Sequence, residues 1–468
     1  MPLSFVATSR NDGHGGDLLG RMQQFVDALD AQCRRHDLDA ELVLVEWNPP
    51  SDKPPLAEAL RWPEDGGPLG VRIVTVPPSL HNRLDNSDVL PLYQMIAKNV
   101  GVRRARGAFV AATNIDIVFS DGAMSALAGT LRHGVLYRAD RHDVYPHPPG
   151  GAPIEEVLAA CRRNTIREDR RDGTLLVGQG VFLPVYQSFR QVLAKWAMRR
   201  ARRVAWRLVV QPLRWSGSMA LRLPRFATGA ARRTMRAPRW AGRLPRSLAR
   251  AVTGLLHPGQ ERPRRPRGSR RRPLHAARGA LRRLGTALKL GLMAVLLAPV
   301  YAWRELRQAW IDTHSLPHLH TNGCGDMTLL SAADWARLRG YPEWPIFSWH
   351  LDSVLVHQAA ASGTQTVELP AAAPVYHLEH AKGSGFTPDG EALLFGRLRH
   401  MKVPFLSSED FSRIALDLYR SARKGGDLAW DQPGWGMEAV DLPETAPTRA
   451  RWENARWSRT KATGAKGA

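Results

Sequence analysis

The chain has 468 residues, with 66 Lys and Arg against 43 Asp and Glu, a formal charge of +23 and 44% hydrophobic residues. That length accommodates at least one full core with room for a second domain, and the hydrophobic content excludes a disordered chain. Three widely spaced cysteines, Cys33, Cys161 and Cys324, exclude a disulfide framework and a CxxC metal pair, which points to a reducing, cytoplasmic setting.

Met1 to Ala7 has no basic stretch leading into an apolar one, so no cleavable signal is expected. Ser4 to Thr8 reads as a short strand, followed by the loop Ser9–Gly16, whose Gly15-Gly16 is a weak candidate for a phosphate cradle ahead of a helix. Leu18, Leu19, Met22, Phe25, Val26, Leu29 and Cys33 recur at three- and four-residue spacing, one face of an amphipathic helix. Glu41 to Trp47 is a continuous apolar strand stopped by Asn48-Pro49-Pro50, and Val71 to Val76 is a third strand. Leu90 to Arg106 has helical spacing, with Gly107 closing it, and the strand Ala108–Ala112 runs into Asn114-Ile115-Asp116. Alternating strands and helices predict a mainly parallel α/β sheet, whose ligands sit beyond the carboxyl ends of the strands.

The charge is uneven. Residues 191–310 contain 29 Lys and Arg and only two acids, Glu261 and Glu305, leaving a net of −4 for the rest of the chain. Six of the fifteen tryptophans also fall there: Trp196, Trp206, Trp215, Trp240, Trp303 and Trp310. The apolar run Leu290–Trp303 is interrupted by Gly291 and Pro299 and is shorter than the roughly 20 residues a span needs, so it is expected to lie at an interface. The organisation expected is an α/β half (1–188), an Arg/Trp-rich membrane-associating insertion (189–312), a second half of the same domain (313–405), and a C-terminal helix with a tail that is loose from about Glu444 (406–468).

Four groups could carry chemistry. Asp116, just past a strand, can bind Mg²⁺ or Mn²⁺ through oxygen, or simply cap a turn. In Tyr376-His377-Leu378-Glu379-His380, an extended backbone puts His377 and Glu379 on one face and His380 on the other, as it would in a solvated loop. Tyr341, Trp344 and Trp349 surround polar residues including Glu343, a platform for a sugar or another ring. In the same group, Asp352 opens an apolar helix, either as a base or as its cap. The glycine loop completes the set.

In this order the residues resemble the GT-A fold glycosyltransferases, inverting family 2-like enzymes, with a C-terminal half similar to the galactosyltransferase-like acceptor segment. The matching stretches are Phe5 to Asp12, Leu44 to Asn48, Lys98-Asn99-Val100-Gly101, Ala105 to Phe109, Asn114-Ile115-Asp116, Gly340 to Glu343 and Trp349 to Asp352. The resemblance covers residues 1–188 and about 313–390. It implies a Rossmann-like sheet flanked by helices and interrupted by the basic insertion, and transfer of a sugar from a nucleoside diphosphate sugar to a hydroxyl of a glycan or lipid-linked acceptor. It implies donor contacts from Arg10, Asn11, Asp12, Glu46, Asn99, Asn114 and Asp116, acceptor contacts from Tyr341, Glu343, Trp344 and Trp349, and a cation, Mn²⁺ or Mg²⁺, on Asp116 with His377 or His380. Asn114 replaces the first Asp of the family's DxD motif. An amide oxygen is a poorer cation ligand than a carboxylate, which leaves Asn114 to the metal or to the ribose. Leu351 stands where the acceptor motif has its first acid, so the general base is carried over to Asp352 alone.

Two other readings use the same residues. A sugar nucleotidyltransferase shares this topology but opens on a Lys/Arg-terminated glycine loop, which Asn11 to Asp17 does not supply. A nucleic-acid binder using the arginine block would bind through charge and lose affinity steeply with salt. Against it, the block lacks a recognised nucleic-acid module and interleaves its charge with Trp and aliphatic residues. An anionic membrane surface is therefore the expected partner, at about 1 kcal/mol per basic residue near the leaflet, and places the protein peripherally on the inner face of the cell membrane.

Overall fold

The computed structural model describes residues 3–184, 316–380 and 388–453, together with the single positions Val300, Trp303 and Arg307. The chain divides into two compact units, Met1–Arg190 with Gln308–Ala468, and Gln191–Arg307. Apart from those single positions the second unit lies outside the described residues, and with it the expected interfacial run from Leu290 and Trp196, Trp206, Trp215 and Trp240. Among the described residues, no helix is long and apolar enough to cross a membrane.

The first unit is α/β. Its strands are β1 (Leu3–Ser9), β2 (Ala40–Trp47), β3 (Leu69–Val76), β4 (Phe109–Thr113), β5 (Ile117–Phe119), β6 (Val135–Arg138) and β7 (Arg141–Val144). They continue with β8 (Thr165–Arg170), β9 (Gly173–Leu176), β10 (Val181–Pro184), β11 (Met327–Ser331), β12 (Gln365–Glu368), β13 (Val375–Leu378) and β14 (Glu444–Thr448). The helices are α1 (Leu18–Arg35), α2 (Leu56–Ala59), α3 (Pro78–His81), α4 (Gln94–Arg104), α5 (Asp121–Ala128), α6 (Ile154–Arg163), α7 (Ala332–Leu338), α8 (Leu351–Ala361), α9 (Pro388–His400) and α10 (Ser408–Arg423).

Eight strands form one sheet in the order β12-β6-β11-β4-β1-β2-β3-β14. Its centre, β4-β1-β2-β3, is parallel, whereas β11 runs antiparallel to both β4 and β6, and β14 antiparallel to β3. The period of two along these strands divides the interior into two layers. Phe5, Ala7, Leu42, Leu44, Val71 and Ile73 join Met22, Phe25 and Leu29 of α1 on one face. Val6, Val43, Val45, Trp47, Val74 and Val76 join Ile96 and Val100 of α4 on the other. Burial on both faces is why β2 reads as an unbroken apolar run. Helix α4 approaches so closely that a Cβ on Gly101 would come within 2.4 Å of Val6.

The expectation of a mainly parallel architecture holds for that centre and for the β12–β6 pair at the far edge of the same sheet. A second sheet, β10-β9-β8-β7-β13-β5, is parallel at β7–β13 and antiparallel elsewhere. Three further boundaries differ from expectation. Helix α4 begins at Gln94, not Leu90, because Pro91 disfavours helical backbone in the residue before it. In α8 the cap position belongs to His350, at φ 72°, which puts Asp352 in the first turn. The segment from Glu444, expected to be loose, adds β14 to the sheet, and Trp452 donates from its indole to Ala40 O at 3.1 Å. The tail beyond Glu453 lies outside the described residues.

Candidate metal centre

Asn114–Asp116 forms the turn between β4 and β5 at the carboxyl end of the parallel strands. Strand β13 pairs with β5 on one side, His377 opposite Ile117, and with β7 on the other, His377 beside Asp143. Leu378 N donates to Asp116 O at 2.9 Å, locking this register beside the turn. Because β13 ends at Leu378, the chain then leaves the sheet and the alternation of faces ends. His380 therefore comes to the same place as His377, whereas Glu379 pairs with Arg167 at 2.7 Å. His377 Nε2 lies 3.5 Å and His380 Nε2 3.6 Å from Asp116 Oδ2, and the three offer ligand atoms within 4.8 Å of one another. Both histidines thus meet Asp116, where the resemblance implied one or the other.

The charge balance is set by burial and by close partners. Burial opposes the ionised form of Asp116, but His377, His380 and Arg21 outweigh it and lower its pKa to about 2. Burial likewise opposes the imidazolium of His377, yet Asp116 and Asp143, one at each ring nitrogen, raise its pKa to about 10 against the pull of Arg141. His380 is lowered to about 4, chiefly by burial, and is neutral at pH 7. Its Nδ1 is buried without a hydrogen-bond partner. One carboxylate and two imidazoles facing a common point, one with an unused nitrogen, are a donor set that fits a divalent cation.

The glycine loop after β1 closes over this cluster. Buried Arg21 donates to His14 O and Gly16 O, each at 2.9 Å, and its Nε lies 4.0 Å from Asp116 Oδ2. His14 stands edge-on to His380, with ring centroids 5.6 Å apart. Gly15, at φ 71°, passes so near that a Cβ there would lie 2.7 Å from His380 Nδ1.

The other residues singled out in the sequence divide into two groups. Arg10, Asn11 and Asp12 follow β1, and Glu46 ends β2, all on the same side as Asp116. Arg10 donates to Pro91 O (3.3 Å), Asn11 to Pro54 O (3.0 Å), and Asp12 accepts from His14 N (2.9 Å). Glu46 is buried, accepts from Leu56 N at 2.8 Å, and has its pKa raised by burial. Asn114 is held between Gln94, from which it accepts at 2.9 Å, and Asp326, to which it donates at 2.5 Å.

The second group comprises Asn99 and the residues singled out between Tyr341 and Asp352. Asn99 is wholly buried and accepts from Tyr341 N (2.8 Å) while donating to Tyr341 O and to Glu343 Oε1 (both 2.9 Å). Glu343 also accepts from Gly436 N at 2.7 Å. Tyr341 is buried against Trp335, with centroids 5.2 Å apart. Asn99, the Tyr341 backbone and Glu343 thus form an internal clamp, at the place where the resemblance implied donor and acceptor contacts. Trp344 packs edge-on to Trp430 and Trp349 to Phe395, both partly exposed. The Asp352 carboxylate accepts from Ser353 N at 2.8 Å, and burial raises its pKa against the pull of Lys98 and Arg138. A Cβ on Gly325 would lie 3.0 Å from Asp352 Oδ2, so the carboxylate lies one residue from Asp326, which holds Asn114.

Sequence reasoning missed Arg21, Asp143, Arg141, Asp326 and Lys98. Buried Lys98 donates to Gly325 O at 2.6 Å, and burial lowers its pKa to about 8 despite Asp326, Asp352 and Asp116. Arg21 did leave a signal, as a basic residue beside Leu18, Met22 and Phe25 on the apolar face of α1. No protein-family model matches this chain, and no curated protein sequence matches it.

Proposed function

We propose that this chain is a GT-A-type glycosyltransferase, moving a sugar from a nucleoside diphosphate sugar to a hydroxyl of a glycan or lipid-linked acceptor with inversion. The observation that carries the reading is the meeting of Asp116 with His377 and His380 outside the carboxyl ends of β1 and β4. There the strand order turns from β1-β2-β3 on one side to β4 on the other, and such a switch point is where open α/β sheets bind ligands. Two nitrogen donors favour Mn²⁺ over Mg²⁺, which prefers an all-oxygen shell. A cation held by Asp116, His377 and His380 supplies positive charge against the departing diphosphate.

The chain's own groups supply the rest. Arg10, Asn11 and Asp12, with Glu46 on the neighbouring strand, offer the polar edge that a base and ribose require. Asp352 accepts the proton of the acceptor hydroxyl, and its raised pKa makes it a better base than a solvated carboxylate. Lys98, fixed to Gly325 O, keeps a positive charge near both Asp116 and Asp352. The nucleic-acid and membrane readings both rest on the insertion, outside the described residues; the interleaving of Trp with Arg supports the membrane.

Thermal stabilisation by UDP-, GDP-, CMP- and dTDP-sugars, with and without Mn²⁺, tests the reading. One nucleotide class should raise the melting temperature only with Mn²⁺, corresponding to about 2.7 kcal/mol at a hundredfold excess over Kd. Asp116→Ala should remove that stabilisation while remaining folded. No response to any of the four, or an undiminished response in Asp116→Ala, overturns it.

A further inference from the structure

Asp143 is wholly buried and has no part in the chemistry above, yet it shares His377 with Asp116. His377 Nδ1 lies 2.9 Å from Asp143 Oδ1, and the other ring nitrogen, Nε2, faces Asp116. Strand register imposes this arrangement, because β13 lies between β7, which carries Asp143, and β5, which follows Asp116. A histidine that binds a cation through one nitrogen must carry its proton on the other. A carboxylate at that second nitrogen fixes the tautomer, restrains ring rotation and raises the basicity of the ligating atom.

Asp143 is itself committed elsewhere. Arg141 donates to its two oxygens at 2.8 and 3.2 Å, and Arg167 pairs with Oδ2. Of the two groups of His and acidic residues that, among the described residues, have ligand atoms close enough to share an ion, Asp116–His377–His380 and Asp143–His377–Glu379, the second thus has both carboxylates engaged by arginine. Arg141 also donates to Asp326 at 2.7 Å, and Asp326 accepts from Asn114. One buried chain of contacts therefore runs from His377 through Asp143, Arg141 and Asp326 back to the turn that carries Asp116.

We infer that Asp143 is the positioning residue of the cation site: when a cation takes the place of the proton on His377 Nε2, Asp143 keeps the remaining proton at Nδ1 and Nε2 aimed at Asp116, and Arg141 and Asp326 tie that frame to Asn114. The inference rests on the reading of Asp116, His377 and His380 as a cation site. It also gives Asn114 a place, as the far end of the frame.

The test compares Asp143→Asn with Asp169→Asn in the full chain, measuring Mn²⁺ binding by the loss of the free-ion paramagnetic resonance signal. Asp169 faces the same two arginines, at 3.5 and 3.8 Å, but its hydrogen bonds go to Thr174 and Asn322. Asp143→Asn should weaken Mn²⁺ binding about 10- to 100-fold, and Asp169→Asn by no more than about twofold. Unchanged affinity in Asp143→Asn, or equal losses in the two variants, overturns the assignment to Asp143 while leaving the cation site standing. Wild-type protein that does not bind Mn²⁺, or binding that survives Asp116→Ala, overturns the cation site and the inference together. Should Asp143→Asn fail to fold, ¹⁵N-histidine spectra of the wild type with Cd²⁺ still decide: His377 protonated at Nδ1 agrees, and protonated at Nε2 overturns it.

Discussion

Replacing Gly15 and Gly16 with alanine, one at a time, separates backbone strain from damage to the cation site. Both glycines adopt left-handed backbone, at φ 71° and 73°, so each alanine carries a similar conformational cost of about 1–2 kcal/mol. Their surroundings differ. The Cβ of Ala at 16 would meet nothing within 4 Å, whereas at 15 it would lie 2.7 Å from His380 Nδ1 and 2.9 Å from Arg21 Nη2. Restoring an ordinary contact of 3.4 Å requires His380 to retreat by about 0.7 Å, several times the roughly 0.2 Å by which metal–ligand distances vary. Gly15→Ala should therefore lose at least about tenfold in Mn²⁺ affinity, or about 1.4 kcal/mol, with Gly16→Ala close to wild type. Melting temperatures without metal should fall by a few degrees in both. Equal Mn²⁺ affinity in the two variants, measured by calorimetry, would refute the placement of His380 in the site.

Asp352→Asn should reduce transfer by about 10²–10⁴-fold with nucleotide-sugar binding retained; loss of donor binding instead would assign Asp352 to the donor side. Because burial raises the pKa of Asp352, wild-type kcat/KM should be lost, as pH falls, above the ordinary carboxylate value of about 4, and an acid limb below that refutes its role as base. Asn99→Ala removes three buried hydrogen bonds to Tyr341 and Glu343 and should cost about 2–3 kcal/mol in denaturant unfolding with Mn²⁺ affinity unchanged; lost nucleotide affinity at full stability would return Asn99 to the donor site. Replacing residues 191–307, the second compact unit, by a short Gly/Ser linker should preserve Mn²⁺ binding and abolish sedimentation with anionic liposomes; persistent pelleting, or RNA retained through high salt by an intact chain that ignores liposomes, refutes the membrane reading.

The parallel centre of the sheet was legible because β1, β2 and β3 are apolar on both faces and α1 carries a clean helical stripe. The second sheet was not. Strands such as Thr165–Arg170 and Arg141–Val144 are short and charged, and in a linear reading look like solvated loops. Arg141, Arg167, Asp143 and Asp169 instead neutralise one another in the interior, and besides near pairs such as Arg141–Asp143 they join residues far apart in sequence, Arg167 with Glu379 and Arg141 with Asp326. The same distance hid Asp143 and Asp326. Asp116, His377 and His380 were legible one by one, but period-two alternation assigned His380 to the wrong face because the end of β13 at Leu378 depends on tertiary contacts. Asn99, Tyr341 and Glu343 matched a motif by residue type, but the bonds between them span more than 240 residues, and a linear reading does not show such contacts.

The strand formed by Glu444–Thr448 bears on how this protein tolerates shortening. It covers β3, an eight-residue strand rich in Val and Ile, and Glu444 pairs with Arg72 at 3.0 Å, which in turn holds Glu41 of β2 at 3.1 Å. Cleavage ahead of Glu444 would expose the backbone donors and acceptors of β3 along an apolar edge, the template on which chains pair with one another. A protease acting near the carboxyl terminus would therefore produce aggregation through β3, more than 300 residues from the cut, while Asp116 and its histidines remained chemically intact.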